Sequence, residues 1–218
     1  MQTKRQVIGG LILLAAFSWL TFAVSGQLPM LQYFDAATAV MAKQAVTPFN
    51  TSVFKAIAFL GSPTIAIMGT IMLSIFLAYH HRLALGAWIA IVQLFGSAIA
   101  ELCKELVSRP RPTGQLVPDT GFSYPSGHTF CTTILILALI TITVPLIEDQ
   151  EVKVITGLTG GLWVLLVAIS RVYLRDHFAS DVVAAALLGG GLWLLASAAQ
   201  PYCLRLLNQI LPEGSQSE

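Results

Sequence analysis

The sequence predicts an all-α fold, a six-transmembrane-helix bundle with a short interfacial helix between the first and second spans. Three observations carry this. Of the 218 residues, 56% are hydrophobic and only 11% charged, against roughly 45–50% and 25% in soluble domains; mean hydropathy is +0.76. The apolar residues gather in six runs, each near the roughly 20 residues that span a hydrocarbon core about 30 Å thick. No alternating strand pattern is present, and backbone groups in lipid must pair internally, so the spans are helices. The same composition excludes a disordered or disulfide-stapled chain. A net charge of +1, from 12 basic and 11 acidic residues, leaves no field to hold nucleic acid. Cys103, Cys131 and Cys203 form no CxxC pair and lie in or beside apolar runs, which reads as inert buried thiols.

In order, the first run covers residues 7–24 behind Lys4 and Arg5. It exceeds the roughly 7–15 apolar residues of a signal-peptide core. It therefore reads as a retained helix with its N-terminus in the cytoplasm. Residues 27–51 form the longest connection. Phe34, Ala37, Met41 and Ala45 recur there at helical spacing, with Gln32, Asp35 and Lys43 away from them. That pattern reads as a short amphipathic helix at the interface, a loop packed on the helix ends being its alternative. Runs 54–79 and 83–107 supply the second and third spans, and 129–147, with Pro145 near its end, the fourth. Runs 154–171 and 178–199 are the fifth and sixth. Six spans place both termini in the cytoplasm and leave one integral-membrane domain over residues 1–218.

The basic residues do not follow the positive-inside rule. Lys4, Arg5, Arg82, Lys153 and Arg205 fall on the cytoplasmic side, and Lys43, Lys55, Lys104, Arg109, Arg111, Arg171 and Arg175 on the other. The excess sits after the third and fifth spans, two connections that parity puts on one membrane face. Those cations therefore serve something other than orientation.

Polar residues at membrane helix ends are candidates for function, and three groups stand out. Lys104 and Arg111, seven residues apart, would return to nearly one helical face after about 700°. Pro110 and Pro112 instead end the helix and turn Arg111 inward. Arg171 adds a third cation from another span. Three converging cations without a matching carboxylate cluster suit phosphate. In Pro125-Ser126-Gly127-His128, Ser126 can cap the fourth span, Gly127 permits close backbone approach, and the helix N-terminus offers free N–H donors. His177 and Asp181, four residues apart, share a helix face. A carboxylate on one imidazole nitrogen leaves the other as nucleophile, and His128 remains free as an acid. Arg109, Arg175 and Asp176 read as flanking partners, and Glu101 and Glu105 as counterions to Lys104.

Lys104-x6-Arg111-Pro112, Pro125-Ser126-Gly127-His128 and Ser170-Arg171-x5-His177-x3-Asp181 resemble the three-part signature of the type-2 phosphatidic acid phosphatase family. The core motifs run from 104 to 181. The resemblance implies phosphate binding by Lys104, Arg111, Ser126, Gly127 and Arg171. It implies attack by His177 to give a phosphohistidine, orientation by Asp181, and protonation of the leaving group by His128. It also implies that neither metal nor cofactor is needed. The substrate class it implies is a lipid phosphate or diphosphate: phosphatidylglycerophosphate, undecaprenyl diphosphate or phosphatidate. With the N-terminus inside, the site faces the extracytoplasmic side. The expected partners are this substrate and the surrounding membrane lipids, with no nucleic acid and no obligate protein partner. The competing class is a transporter or channel using the charges as an anion path; the clustering of charge at one face argues against it. A metal-dependent hydrolase using His128 and His177 would need a third ligand and a metal beside three cations.

Overall fold

The structure, a computed structural model, describes residues 2–211. Among these residues the chain forms eight α-helices and no strand: α1 (Gln2–Ser25), α2 (Pro29–Gln44), α3 (Pro48–Leu60), α4 (Pro63–Tyr79), α5 (Leu83–Val107), α6 (Gly127–Thr143), α7 (Gln150–Tyr173) and α8 (Ala179–Ile210). A short 3₁₀ turn, Val144–Leu146, carries Pro145 at the end of α6.

Local chemistry sets the helix starts. Pro29, Pro48 and Pro63 stand in the first turns of α2, α3 and α4, where a missing N–H and a fixed φ suit the helix. Thr47 Oγ1 accepts from the Asn50 amide at 3.1 Å, Ser62 Oγ from Ile65 at 3.3 Å, and Asp149 Oδ1 from Glu151 at 2.7 Å. Each satisfies an amide that the helix itself leaves open.

Helices α1, α5, α7 and α8, and α6 together with its 3₁₀ turn through Leu146, are each long and apolar enough to cross a membrane. The expected second span is broken. Its residues form α3 and α4, bent by 41° at Gly61-Ser62, and the pair counts as one span only when taken together. The sixth span is also longer than expected, since α8 continues through Pro201 to Ile210.

Helix α8 is the hub, packed against α1, α2, α5, α6 and α7. Its approach to α1 runs through small residues. A Cβ added at Gly10 would lie 2.8 Å from Leu195 Cδ2, and one at Gly191 2.8 Å from Leu14 Cδ2, the close approach that small residues permit in membranes. Trp88 and Trp193 meet at 5.3 Å between ring centroids in a core shared with Phe130, Ile134 and Leu188. Large apolar side chains such as Ile12, Phe22, Met72, Phe95 and Leu158 point outward, as lipid-facing surfaces require.

Residues 27–51 do contain the expected short helix, α2, and its apolar residues face outward as an interfacial helix requires. Phe34 and Met41 are exposed, while Asp35 is 3% exposed and turned into the protein. In a lipid setting the apolar stripe need not face the core, and Asp35 finds its partner on the inside.

Close packing of α4 on α5 depends on Gly86, where an added Cβ would sit 2.6 Å from the Ser74 backbone oxygen. Overpacking of this kind costs about 1–3 kcal/mol. Gly86→Ala is expected to lower the thermal midpoint of the purified protein, whereas Gly157→Ala, with no atom within 4 Å of its added Cβ, leaves it unchanged.

Candidate active site

Helix α5 ends at Val107, and Ser108 turns the chain in the left-handed region at φ 48°. Pro110 and Pro112 then keep it from resuming a helix. Lys104 stays in the last turn of α5, its Nζ 3.0 Å from Glu101 Oε2, and lines a cavity of about 290 Å³ with Pro125 and Gly127. Arg111, released from the helix, is held from several sides. Its Nε and Nη2 donate to the Thr120 carbonyl at 3.2 and 2.8 Å. Its Nη1 donates to the Asp176 carbonyl at 3.0 Å and lies 3.5 Å from His177 Nε2.

The Pro125–His128 turn opens α6. Ser126, fully buried, accepts from Thr129 Oγ1 at 3.3 Å and donates its own amide to the Asp181 carbonyl at 3.2 Å. That bond ties the start of α6 to the start of α8. The amides of Gly127 and His128 remain in the open first turn. A Cβ at Gly127 would meet only Pro63 Cγ at 3.6 Å, so crowding by the protein does not demand the glycine. His128 lines a second cavity, of about 380 Å³, together with Arg171.

The corner between α7 and α8 supplies the rest. Arg171 is buried in the last turn of α7. Its Nη2 lies 2.8 Å from Asp119 Oδ2 and 3.1 Å from Asp176 Oδ2, while its Nε has no hydrogen-bond partner. Asp176 is fully buried, and its other oxygen accepts from Gln115 Nε2 at 3.1 Å. Burial pushes the Asp176 carboxyl up, and Arg171 beside it opposes the shift. Arg175 donates to the Gly114 carbonyl at 3.1 Å, bracing the 108–126 loop.

His177 is buried at this corner, and its tautomer is fixed. Nδ1 lies 2.6 Å from the Ser123 carbonyl oxygen; a carbonyl only accepts, so Nδ1 carries the hydrogen and Nε2 the lone pair. Asp181 Oδ2 is 3.6 Å from Nδ1, beyond hydrogen-bond range, and accepts from the Phe178 amide at 2.9 Å. The division of labour therefore differs from the sequence reading: a main-chain carbonyl orients the imidazole, and Asp181 faces it as a fixed negative charge. Burial lowers the His177 pKa most. The Asp181 carboxylate opposes this, and Arg171 and Arg111 reinforce it, so the direction is down and the ring is neutral at neutral pH.

Behind Asp181 lies an ion network. Arg109 Nη1 donates to Asp181 Oδ1 at 2.5 Å and to Ser180 Oγ at 2.7 Å, and Nη2 to Asp35 Oδ2 at 2.7 Å. Asp35 also accepts from the Ser180 amide at 2.9 Å and hydroxyl at 2.7 Å. The guanidinium stacks on Phe178 at 3.9 Å. One planar cation thus joins α2, the loop after α5 and the start of α8.

Arg111, Arg171, His177 and Asp181 share this corner directly. His128 joins it through the cavity it shares with Arg171, and Lys104, Ser126 and Gly127 border it from α5 and α6. Two participants were not foreseen. Asp119 bridges Arg111, at 3.0 Å, and Arg171, at 2.8 Å. With Asp176 it supplies the carboxylates that the cations were expected to lack. Asp35 stood in the sequence only as a polar residue of α2 away from its apolar stripe. Only an unpaired count of cations at that membrane face hinted at either.

A family model described as the PAP2 superfamily matches residues 82–205. Phosphatidylglycerophosphatase B of Bacillus subtilis is 27% identical over 155 residues, 69% of this chain and 74% of that protein. The fold is similar to a crystal structure described as the first transmembrane PAP2-type phosphatidylglycerolphosphate phosphatase from Bacillus subtilis. That match has a TM-score of 0.76 and 23% identity, and covers 94% of this chain and 98% of that one.

Removing one member of a buried ion network leaves uncompensated charge, at about 3–5 kcal/mol. Arg109→Ala strands both Asp35 and Asp181 and is expected to cost this much. Asp35→Asn keeps the Arg109–Asp181 pair and should cost less. Thermal unfolding of the two purified variants measures the order; equal losses would contradict a shared guanidinium.

Proposed function

The chain belongs to the PAP2 superfamily, and from that premise we propose that it removes phosphate from a membrane lipid through a phosphohistidine formed on His177. The observation that carries this reading is the locked imidazole, with Nδ1 on the Ser123 carbonyl at 2.6 Å and Nε2 presented 3.5 Å from Arg111. A buried, neutral nitrogen with one defined lone pair, set among cations, is an activated nucleophile waiting for phosphorus.

The steps follow from the side chains. The phosphate oxygens bind to Arg111, Arg171 and Lys104, with the open amides of the α6 first turn behind Ser126. His177 Nε2 forms a bond to phosphorus as the bond to the lipid oxygen breaks, and His128, which takes up a proton once the anionic phosphate is seated beside it, delivers that proton to the lipid oxygen. The imidazole now carries positive charge, which Asp181 stabilises from 3.6 Å. Neutral His128 then takes a proton from water, whose oxygen attacks phosphorus. The P–N bond breaks, inorganic phosphate leaves, and both histidines return to their starting states. Fixed donors aimed at the transferring phosphoryl group do most of the electrostatic work.

A site at helix ends suits a substrate that diffuses laterally in the bilayer. Phosphatidylglycerophosphate is the first candidate, by the name of the Bacillus relative; undecaprenyl diphosphate and phosphatidate share the reacting group. The site faces the extracytoplasmic side if Lys4 and Arg5 hold the N-terminus in the cytoplasm.

Asp119 has a part in this cycle. Its carboxylate sits between two of the cations assigned to phosphate, so an incoming phosphate must displace it. Asp119→Asn is therefore expected to bind inorganic phosphate more tightly than wild type, read as a lower inhibition constant; an unchanged constant would remove Asp119 from the phosphate seat.

For the chemistry, His177→Ala is expected to abolish turnover and His128→Ala to lower it by about 10²–10⁴. Trapping with labelled substrate should give an acid-labile phosphoryl group on wild type and none on His177→Ala. Turnover by His177→Ala at the wild-type rate would reassign the nucleophile.

A further inference from the structure

Helix α3 carries one charged side chain, Lys55, in an otherwise uncharged stretch from Pro48 to Leu60. No carboxylate pairs with it among the described residues. Lys55, Ala58 and Phe59 stand at helical steps of three and four, so they share one face of α3, and that face, with Ser62 beyond the helix end, lines the cavity holding His128 and Arg171. The opposite wall is apolar, built from Leu116, Val117 and Pro118. An unpaired ammonium on a largely apolar wall, in the same cavity as the candidate acid and a candidate phosphate ligand, is placed for a second anionic group of the substrate.

We propose that Lys55 is a specificity-determining residue that binds a second phosphorus-borne charge on the lipid, next to the phosphate under attack. The inference rests on the lipid phosphatase reading and sharpens its substrate class. Lys55 is exposed and lines the same cavity of about 380 Å³ as His128 and Arg171, so its ammonium is free to meet an anion there. Lysine is a compact, mobile point charge, suited to an anion whose position varies. Two chemistries supply that anion: a phosphodiester linked to the reacting phosphate through a short alcohol, or a second phosphate joined to it directly. A lipid with a single phosphate has neither. Plain snorkelling of Lys55 to the headgroup region would affect all substrates alike, which makes the two roles separable.

The test compares wild type, Lys55→Gln and Lys55→Arg on three lipids in mixed micelles: phosphatidate, phosphatidylglycerophosphate and an isoprenyl diphosphate. Loss of one charge-assisted contact corresponds to about tenfold in affinity. Lys55→Gln is expected to raise KM about tenfold for the lipids with a second phosphorus, with kcat nearly unchanged. Phosphatidate should change by less than about twofold, and Lys55→Arg should retain most of the preference. A rise confined to phosphatidylglycerophosphate identifies the phosphodiester as the bound group, and one confined to the isoprenyl diphosphate identifies the directly joined phosphate. Equal changes on all three lipids, or no change on any, overturn the proposal. A wild-type protein that releases phosphate from none of the three instead overturns the phosphatase reading beneath it.

Discussion

Positive charge gathered at the end of a membrane bundle has to be balanced locally, and that requirement organises the functional end of this protein. Arg109, Arg111 and Arg171 come from two separate stretches of chain and sit where water is scarce. An isolated buried ion costs several kcal/mol even after relaxation. Each guanidinium is accordingly met by carboxylates: Arg109 by Asp35 and Asp181, Arg171 by Asp119 and Asp176, and Arg111 by Asp119 and several carbonyls. These pairs span the loop after α5, the α7–α8 corner and α2. Charge balance and tertiary structure are therefore the same problem at this end of the molecule.

The balance is uneven, and the unevenness is functional. Asp35 and Asp181 are locked, each with more than one donor and almost no exposure. Asp119 is different. It is about 30% exposed at its side chain and hangs from a loop by its bonds to two arginines and the Thr120 amide. The firm pairs hold the surroundings of His177, while the looser pair covers cations that the proposed phosphate seat would need. Lys104 resembles the looser kind, its partner Glu101 being largely exposed. Under the proposed function, the cations assigned to phosphate are kept by counterions that can leave.

The sequence made the six spans legible because hydrocarbon thickness fixes their length, and it made the chemistry legible because prolines, the Ser-Gly turn and the His-Asp spacing act locally. Pro110 and Pro112 do end α5 short of Arg111, and His177 and Asp181 do meet across one turn of chain. What escaped was long-range. The Ser123 carbonyl that orients His177 is a backbone atom 54 positions away, invisible to any pattern of side chains. Asp35 lies 145 positions from the Ser180 that holds it, and helical spacing set it away from the apolar stripe of α2 without showing what it meets there. Its ion pair with Arg109 and its bonds to Ser180 turn that side of α2 into the protein. The break at Gly61-Ser62 was hidden for a related reason. Apolar composition is continuous across it, and only the Ser62 cap with Pro63 behind it marks a second helix start.

That break also shapes the space around the site: it sets α3 apart from α4, with one cavity lined by α3, His128 and Arg171 and another lined by α4, Lys104 and Gly127. Ser62 faces the first and Pro63 the second, so the junction stands between the two approaches to the phosphate seat. Thr132 Oγ1 donates to the Gly61 carbonyl at 3.1 Å, replacing a bond that the interrupted helix cannot make. Helix α7 also packs tightly at Gly61, where an added Cβ would fall 2.4 Å from Val167 Cγ2. The discontinuity is thus pinned by α6 and α7, the same helices that carry His128 and Arg171. Cavity shape and site geometry are coupled through shared backbone, and a shift of the junction would displace His128, Arg171 and the face bearing Lys55 together.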